Sequence, residues 1–311
     1  MIIITSGPTY LDIDAYTCMV AIAELLKLQG KPALAYSSAP CNYSVCPFLI
    51  TPGEITTTLP KECDRASAEY IVVDVSDPHY LGDSVPQKQI TAIYDHHTGY
   101  EEYWFDRIGK NSHIEYIGSA ATLIYREWKS AGLQNKLSRS TTLLLIAAIL
   151  DNTLNLTSSN TTPEDIEVFQ ELCRKEHIDD EWCAHYFSEV QSYIEADLKN
   201  ALFSDLKTIE HNHILPSKIA QLCVWDADRI LVRLPEIRLW FNQTFNNWLL
   251  NIIDIQKNRS YFVCNDSRYQ NEIEQLFNTS FENDIAVLPN SFLRKEIIKK
   301  SKFKMNTEDS Q

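Results

Sequence analysis

Ile90-Thr91-Ala92-Ile93-Tyr94-Asp95-His96-His97 is a β-rich apolar run that ends on one acid and two imidazoles. Three other apolar segments end the same way: MIIIT leads to Asp12 and Asp14 in LDIDA, YIVV ends at Asp74, and LLLIAAIL ends at Asp151. Open α/β sheets bind ligands outside the carboxyl ends of their strands, so residues in these contexts converge on one crevice. Taken singly, an acid after a strand is an ordinary loop residue. Gathered together, several carboxylates oppose one another's ionisation unless cations lie between them. The economical reading is a cluster of divalent metal ions.

Around these motifs the first half of the chain alternates short β-rich runs with helical periodicity, the pattern of βαβ units on a parallel sheet. Strands are expected at 1–5, 33–36, 70–75 and 90–95, and helices at 15–29, 114–129 and 139–150. The TTPED sequence at 161–165 has the proline and acidic first turn of a further helix. A polar stretch then reads as a linker, and a second alternation follows. It has strands at 219–225, 249–255, 261–265 and 284–288, and helices at 235–247 and 270–278. The fold class is therefore α/β, with an N-terminal parallel-sheet domain over 1–187 and a linker or hinge at 188–196. A smaller α/β domain covers 197–304, a frayed tail 305–311, and the active site is expected in the cleft between the domains.

Composition narrows the function. A net charge of −14 disfavours nucleic-acid and anionic-membrane surfaces. No stretch approaches the roughly 18 uncharged apolar residues that mark a membrane-spanning helix. The acidic start also lacks the basic region of a signal peptide. Eight scattered cysteines without a paired zinc spacing suit reduced thiols, so a cytoplasmic location is expected. All eight glycines lie at or before Gly132, and none forms a phosphate-binding glycine loop. Phosphate binding would then depend on metals and basic side chains. Hard Mg²⁺ or Mn²⁺ ions suit carboxylate ligands, and Mn²⁺ also accepts imidazole.

In order along the chain, LDID at 11–14, VVD at 72–74, DHH at 95–97, GSAAT at 118–122 and AILDNT at 148–153 resemble the DHH phosphoesterases. The second half resembles the DHHA2 type found in family II inorganic pyrophosphatases and exopolyphosphatases, on the D-x-K of Asp197 and Lys199 and on Arg294-Lys295. The GGGH motif of the nucleotide-cleaving DHHA1 type is absent. The resemblance implies two divalent cations held by Asp12, Asp14, Asp74, His96 and Asp151, with Asp74 bridging. It implies that Asp95 supports the histidines and that His97 faces the substrate and acts on the leaving group. Lys199, Arg294 and Lys295 would bind phosphate.

The implied activity is phosphoanhydride hydrolysis by a dinuclear-metal-activated hydroxide, with pyrophosphate as leading substrate and short-chain polyphosphate as the alternative. A nucleotide phosphodiesterase or a non-catalytic phospho-ligand-binding protein are more distant readings. The expected partner is a small phosphorylated molecule, with a homodimer left open and neither nucleic acid nor membrane expected. One departure matters: the family II pattern His-x-x-Pro-Asp-x-Asp carries Pro8 where a ligand histidine is usual. A proline offers no donor atom, so this site should favour Mg²⁺, and the exopolyphosphatase-type members likewise lack that histidine.

Overall fold

In the computed structural model, MIIIT supplies an interior strand of a parallel sheet, because three consecutive isoleucines suit a strand covered on both faces. The structure describes all residues except 62, 66, 82–84, 211, 213 and 309–311, and for 305–308 it describes only the backbone. His211 and His213, read from sequence as ordinary histidines, lie outside the described residues. The chain divides into two units, Met1–Tyr186 and Phe187–Gln311.

The first unit runs β1 (Ile2–Thr5), α1 (Ile13–Leu28), β2 (Ala33–Ala35), β3 (Glu69–Val73), β4 (Ile90–Asp95), α2 (Glu101–Ile108), β5 (Ser112–Ile114), α3 (Ala120–Ser130), α4 (Arg139–Asn152) and α5 (Pro163–Glu176). Helix α6 (Asp180–Ala196) contains the boundary between the units. The five strands pair in the order β2-β1-β3-β4-β5, all parallel. The strand order reverses between β1 and β3, and such a switch point opens the ligand crevice of an open α/β sheet. Asp12 follows β1 and Asp74 follows β3, so the topology delivers both acids there.

Ile3, Tyr70, Val72, Ile93, Trp104 and Ile114 share one core cluster, and α1 packs against α3 and α4. The Trp104 indole N–H donates to the Ser76 carbonyl at 2.6 Å, which ties α2 to the segment just after Asp74.

The second unit continues with α7 (Leu198–Ser204), β6 (Lys207–Thr208), β7 (Lys218–Val224), α8 (Asp228–Leu231), α9 (Leu234–Thr244), β8 (Leu249–Asp254), β9 (Arg259–Cys264), α10 (Ser267–Phe277), β10 (Phe281–Glu282), β11 (Ile285–Leu288) and α11 (Arg294–Glu308). Its sheet has the order β10-β11-β9-β8-β7-β6. Only β7 and β8 pair in parallel; the other neighbours are antiparallel. Among the described residues, no helix is long and apolar enough to cross a membrane.

Three segments differ from the sequence expectation. Residues 114–119 are not helical: Ser112–Ile114 pairs with β4, and Ser119 caps α3 by accepting the Ala121 N–H on its hydroxyl. Residues 188–196, read as a linker, are the last half of α6. Most of their polar side chains reach solvent, while Tyr186, Phe187, Val190, Gln191 and Ile194 form a buried face at helical spacing. Residues 305–308, read as a frayed tail, belong to α11.

The junction that places α3 against α5 is tightly built. The Asp165 carboxylate is buried and accepts from Gly118 N at 2.9 Å, Thr122 Oγ1 at 2.6 Å and both polar groups of Thr162 at 2.7–2.8 Å. A Cβ on Gly118 would stand 2.6 Å from both Asp165 Oδ2 and Thr153 Cγ2. Gly118→Ala should therefore destabilise the protein by roughly 1–3 kcal/mol, as overpacking does. Urea unfolding measures this, and an unchanged midpoint would mean that the junction yields.

Candidate metal centre

Asp12 closes the loop after β1 and caps α1, its Oδ1 accepting the Ala15 N–H at 2.9 Å. The next amide, Ile13 N–H, donates to Ser44 Oγ at 2.9 Å, which anchors the loop to the segment around Asn42 and Ser44. Asp14 lies in the first turn of α1 and is fully buried. Its Oδ1 accepts from Ser119 Oγ and Ala121 N, and its Oδ2 from Ala120 N, each at 2.9 Å. The carboxylate thus sits on the first turn of α3, where exposed amides and the helix dipole favour an anion. Burial, followed by the charge of Asp12, nevertheless pushes its pKa up to about 7.

Asp74 follows β3 with φ of +57°, a backbone conformation unusual for a residue with a side chain. Its N–H donates to the Tyr94 carbonyl at 2.8 Å, so β4 fixes its place. Burial, then the charges of Asp12, Asp14 and Asp95, raise its pKa well above the usual carboxylate value. Its Oδ1 is buried without a hydrogen-bond donor, although His96 Nε2 lies 3.4 Å away.

The reason lies on the other side of the imidazole. His96 Nδ1 is 3.2 Å from the Ile117 carbonyl, a contact that assigns the proton to Nδ1 and leaves the lone pair on Nε2. A lone pair then faces a carboxylate oxygen, and a cation between them satisfies both. A backbone carbonyl orienting the far nitrogen in this way is usual for a metal-ligating histidine.

Asp95 is fully buried and accepts both the backbone N–H of His97, at 3.0 Å, and its Nδ1, at 2.9 Å. Burial opposes ionisation of Asp95, but the bond and charge of His97 outweigh it and lower the pKa. The His97 ring is 59% exposed. Asp151 stands near the end of α4, its Oδ1 accepting the Tyr186 hydroxyl at 3.0 Å. Burial, with a smaller contribution from Asp12, pushes it up to about 7 against that bond.

Asp74, His96 and His97 offer ligand atoms within 4.8 Å of one another, the one such group of three or more among the described residues. Asp12 and Asp14 adjoin it electrostatically without joining that tight group, and Asp151 adjoins Asp12. The donor set fits a divalent cation: carboxylates raised by burial and then by one another's charge, an orphaned buried oxygen and an imidazole lone pair directed at it.

In the second unit, the residues expected to bind phosphate separate. The Lys199 ammonium stands 5.8 Å from the Trp240 ring centroid. Arg294 is buried, and its guanidinium donates to the Asp205 carboxylate at 2.9 Å, to the Asp205 carbonyl and to the Ile219 carbonyl at 3.4 Å. Arg294 and Lys295 line an open pocket of about 370 Å³ together with Lys207, Ile298, Lys299 and Lys302. Lys207 was missed in the sequence. The chain carries D-x-K twice, at Asp197-Leu198-Lys199 and at Asp205-Leu206-Lys207, and only the second motif has its acid bonded to Arg294. Tyr186 and Ser44 were missed too, and no spacing marks either.

The raised acids give the metal-free protein a defined pH dependence. Folded Asp14 and Asp151 keep protons up to about pH 7, whereas unfolded carboxyls release them near their ordinary value of 3.8. The folded state binds more protons in that window, so stability falls as pH rises through it. Metal-stripped protein should melt at a lower temperature at about pH 8 than at about pH 5, and Mn²⁺ should raise the melting temperature more at pH 8. Equal Mn²⁺ shifts at both pH values would contradict the cation-for-proton exchange.

No established family profile matches the chain. Over 300 residues, 92% of this chain and 93% of the relative, it is 24% identical to a protein of an Exiguobacterium species named probable manganese-dependent inorganic pyrophosphatase. Staphylococcus aureus proteins of the same name are 22% identical over 299 residues, with the same coverage of each chain. The fold matches a Methanococcus jannaschii protein assigned as a family II inorganic pyrophosphatase, with a TM-score of 0.66, 19% identity and coverage of 96% and 98% of the two chains. An exopolyphosphatase-related protein from Bacteroides fragilis matches with a TM-score of 0.53, 14% identity and coverage of 99% and 92%. In motif order, in fold and along nearly its whole length, the chain resembles the DHH phosphoesterases of the family II inorganic pyrophosphatase and exopolyphosphatase type.

Proposed function

We propose that this protein is a divalent-metal-dependent phosphoanhydride hydrolase that cleaves pyrophosphate with water into two phosphates. The observation that carries the reading is the buried confrontation of Asp74 Oδ1 with His96 Nε2, two acceptors that a cation reconciles. Asp12, Asp74, His96 and Asp151 would hold the metal. Asp14 would join them through Oδ2, since a carboxylate has about four lone-pair sites and α3 takes only some of them. Bound divalent cations would neutralise phosphoryl charge and acidify a water molecule. Two such ions would be held by these residues, Asp74 among the ligands of both.

The remaining chemistry falls to the chain's own groups. Asp95 fixes the His97 ring through Nδ1, and the exposed ring can deliver a proton to the departing phosphate oxygen. Lys207 and Lys295 would hold phosphate oxygens as point charges, while Arg294, taken up by Asp205, frames their pocket. A cytoplasmic setting goes with this reading and with eight free cysteines.

A second reading, an exopolyphosphatase, is favoured by two observations: Pro8 stands at the usual histidine position, and one pocket gathers four lysines. Longer phosphate chains carry more charge for those lysines to meet. Phosphate release from pyrophosphate and from short polyphosphate, each with Mn²⁺ and with Mg²⁺, separates the two.

Asp74→Ala should abolish turnover of both, and full activity in that folded variant would end the proposal. His97→Ala should lower kcat on the order of 10²–10⁴-fold, the range of a lost general acid. Lys207→Gln should raise KM several-fold whereas Lys199→Gln leaves it unchanged. The reverse result would return the phosphate role to Lys199.

A further inference from the structure

Asp151 occupies an awkward position for an anion. It lies in the last turn of α4 and is partly buried, where the negative end of the helix dipole opposes its charge. The Tyr186 hydroxyl offsets this by donating to Asp151 Oδ1 at 3.0 Å. The same hydroxyl lies 3.2 Å from the Ser44 carbonyl, and its single proton goes to the charged acceptor when Asp151 is ionised.

Ser44 in turn accepts the Ile13 N–H on its Oγ at 2.9 Å, and Ile13 is the residue between Asp12 and Asp14. A path of contacts therefore runs from the end of α4, through the Tyr186 oxygen, to Ser44 and the loop that carries the first two acids, with the one Tyr186 proton serving Asp151 or the Ser44 carbonyl. The ring at its centre is fully buried on α6 and lies nearly parallel to the Trp182 ring, at a centroid distance of 6.4 Å and an interplanar angle of 10°.

We propose that Tyr186 is a positioning residue that holds Asp151 against the Asp12–Asp14 segment and thereby sets the protein's affinity for divalent cations. This rests on the metal-dependent reading given above. Tyr186 touches neither substrate nor cation; it acts through Asp151, and partners of this kind tune metal affinity by about 10–100-fold when lost.

The test is Mn²⁺ titration of metal-stripped protein by calorimetry, comparing the parent with Tyr186→Phe, which keeps the ring and removes only the hydroxyl. Mn²⁺ binding should weaken about 10–100-fold. The Mn²⁺ concentration for half-maximal phosphate release should rise by the same factor, while kcat at saturating Mn²⁺ stays within a few-fold of the parent. Ser44→Ala cuts the path at its other end. It should weaken Mn²⁺ binding less, and the double variant should fall short of the product of the two single effects.

Unchanged Mn²⁺ affinity in Tyr186→Phe overturns the proposal while leaving the metal-dependent reading intact. A lowered kcat that saturating Mn²⁺ fails to restore also overturns it. A parent protein that takes up no Mn²⁺ overturns both. Should Tyr186→Phe not fold, Ser44→Ala decides: unchanged affinity there sinks the idea.

Discussion

Burying like charges is the constraint around which the first unit is arranged. Asp14, Asp74, Asp95 and Asp151 all stand largely out of water near the carboxyl edge of one sheet. An isolated carboxylate in such surroundings is costly, so each needs compensation. Asp14 takes it from the amides and serine at the start of α3, Asp95 from His97 and Asp151 from Tyr186. Asp74 Oδ1 and Asp95 Oδ2 are both buried without a donor, and the Asp74 oxygen lies 3.4 Å from His96 Nε2. The unmet demand falls on neighbouring acids at the ends of adjacent strands, as a cation site requires.

The backbone is also bent where these acids sit. Asp74 has positive φ, and just after Asp151 three consecutive residues, Leu154, Asn155 and Leu156, have φ between +49° and +63°. For residues with side chains each such conformation is unfavourable by about 1–2 kcal/mol. Local bonds hold the turn in place: Thr153 Oγ1 accepts the Leu156 N–H at 3.0 Å, and Leu154 is buried in the core. Strain of this kind persists only where surrounding contacts over-determine it, and it gathers at functional sites. Two of the acid-bearing segments thus leave regular structure by unfavourable routes, at Asp74 itself and in the turn just after Asp151.

The sequence disclosed elements whose cause is local and missed those whose cause is tertiary. Strand β4 ends at Asp95 as its alternation suggested, and α5 begins behind the Thr162 capping box that TTPED announces. The stretch from Ile114 to Gly118 looked helical because its apolar residues continue the period of α3. Pairing with β4 claims Ile114 instead, and the Ser119 cap starts the helix later. Helix α6 was hidden because its polar face resembles a linker unless Tyr186, Phe187, Val190 and Ile194 are seen as its buried stripe. The acids of the candidate metal centre stood out in the sequence because each follows an apolar run. Tyr186 and Ser44 did not, since their role depends on contacts between segments far apart in the chain.

The same distinction explains why residues that look alike in sequence serve different ends. Asp12 and Asp14 are one residue apart, yet Asp14 spends three of its hydrogen bonds on α3 while Asp12 caps its own helix. Arg294 and Lys295 are adjacent, yet Arg294 is buried against Asp205 and Lys295 lines the pocket. In each pair one charged group fixes two elements to each other and its neighbour is thereby aimed. Asp14 locks α1 to α3, which holds the Asp12 loop. Arg294 locks the start of α11 to Asp205, which carries Lys207 two residues on. A charged residue that resembles a ligand in sequence can thus also serve as a frame, as Asp14 does through its bonds to α3 and Arg294 through Asp205.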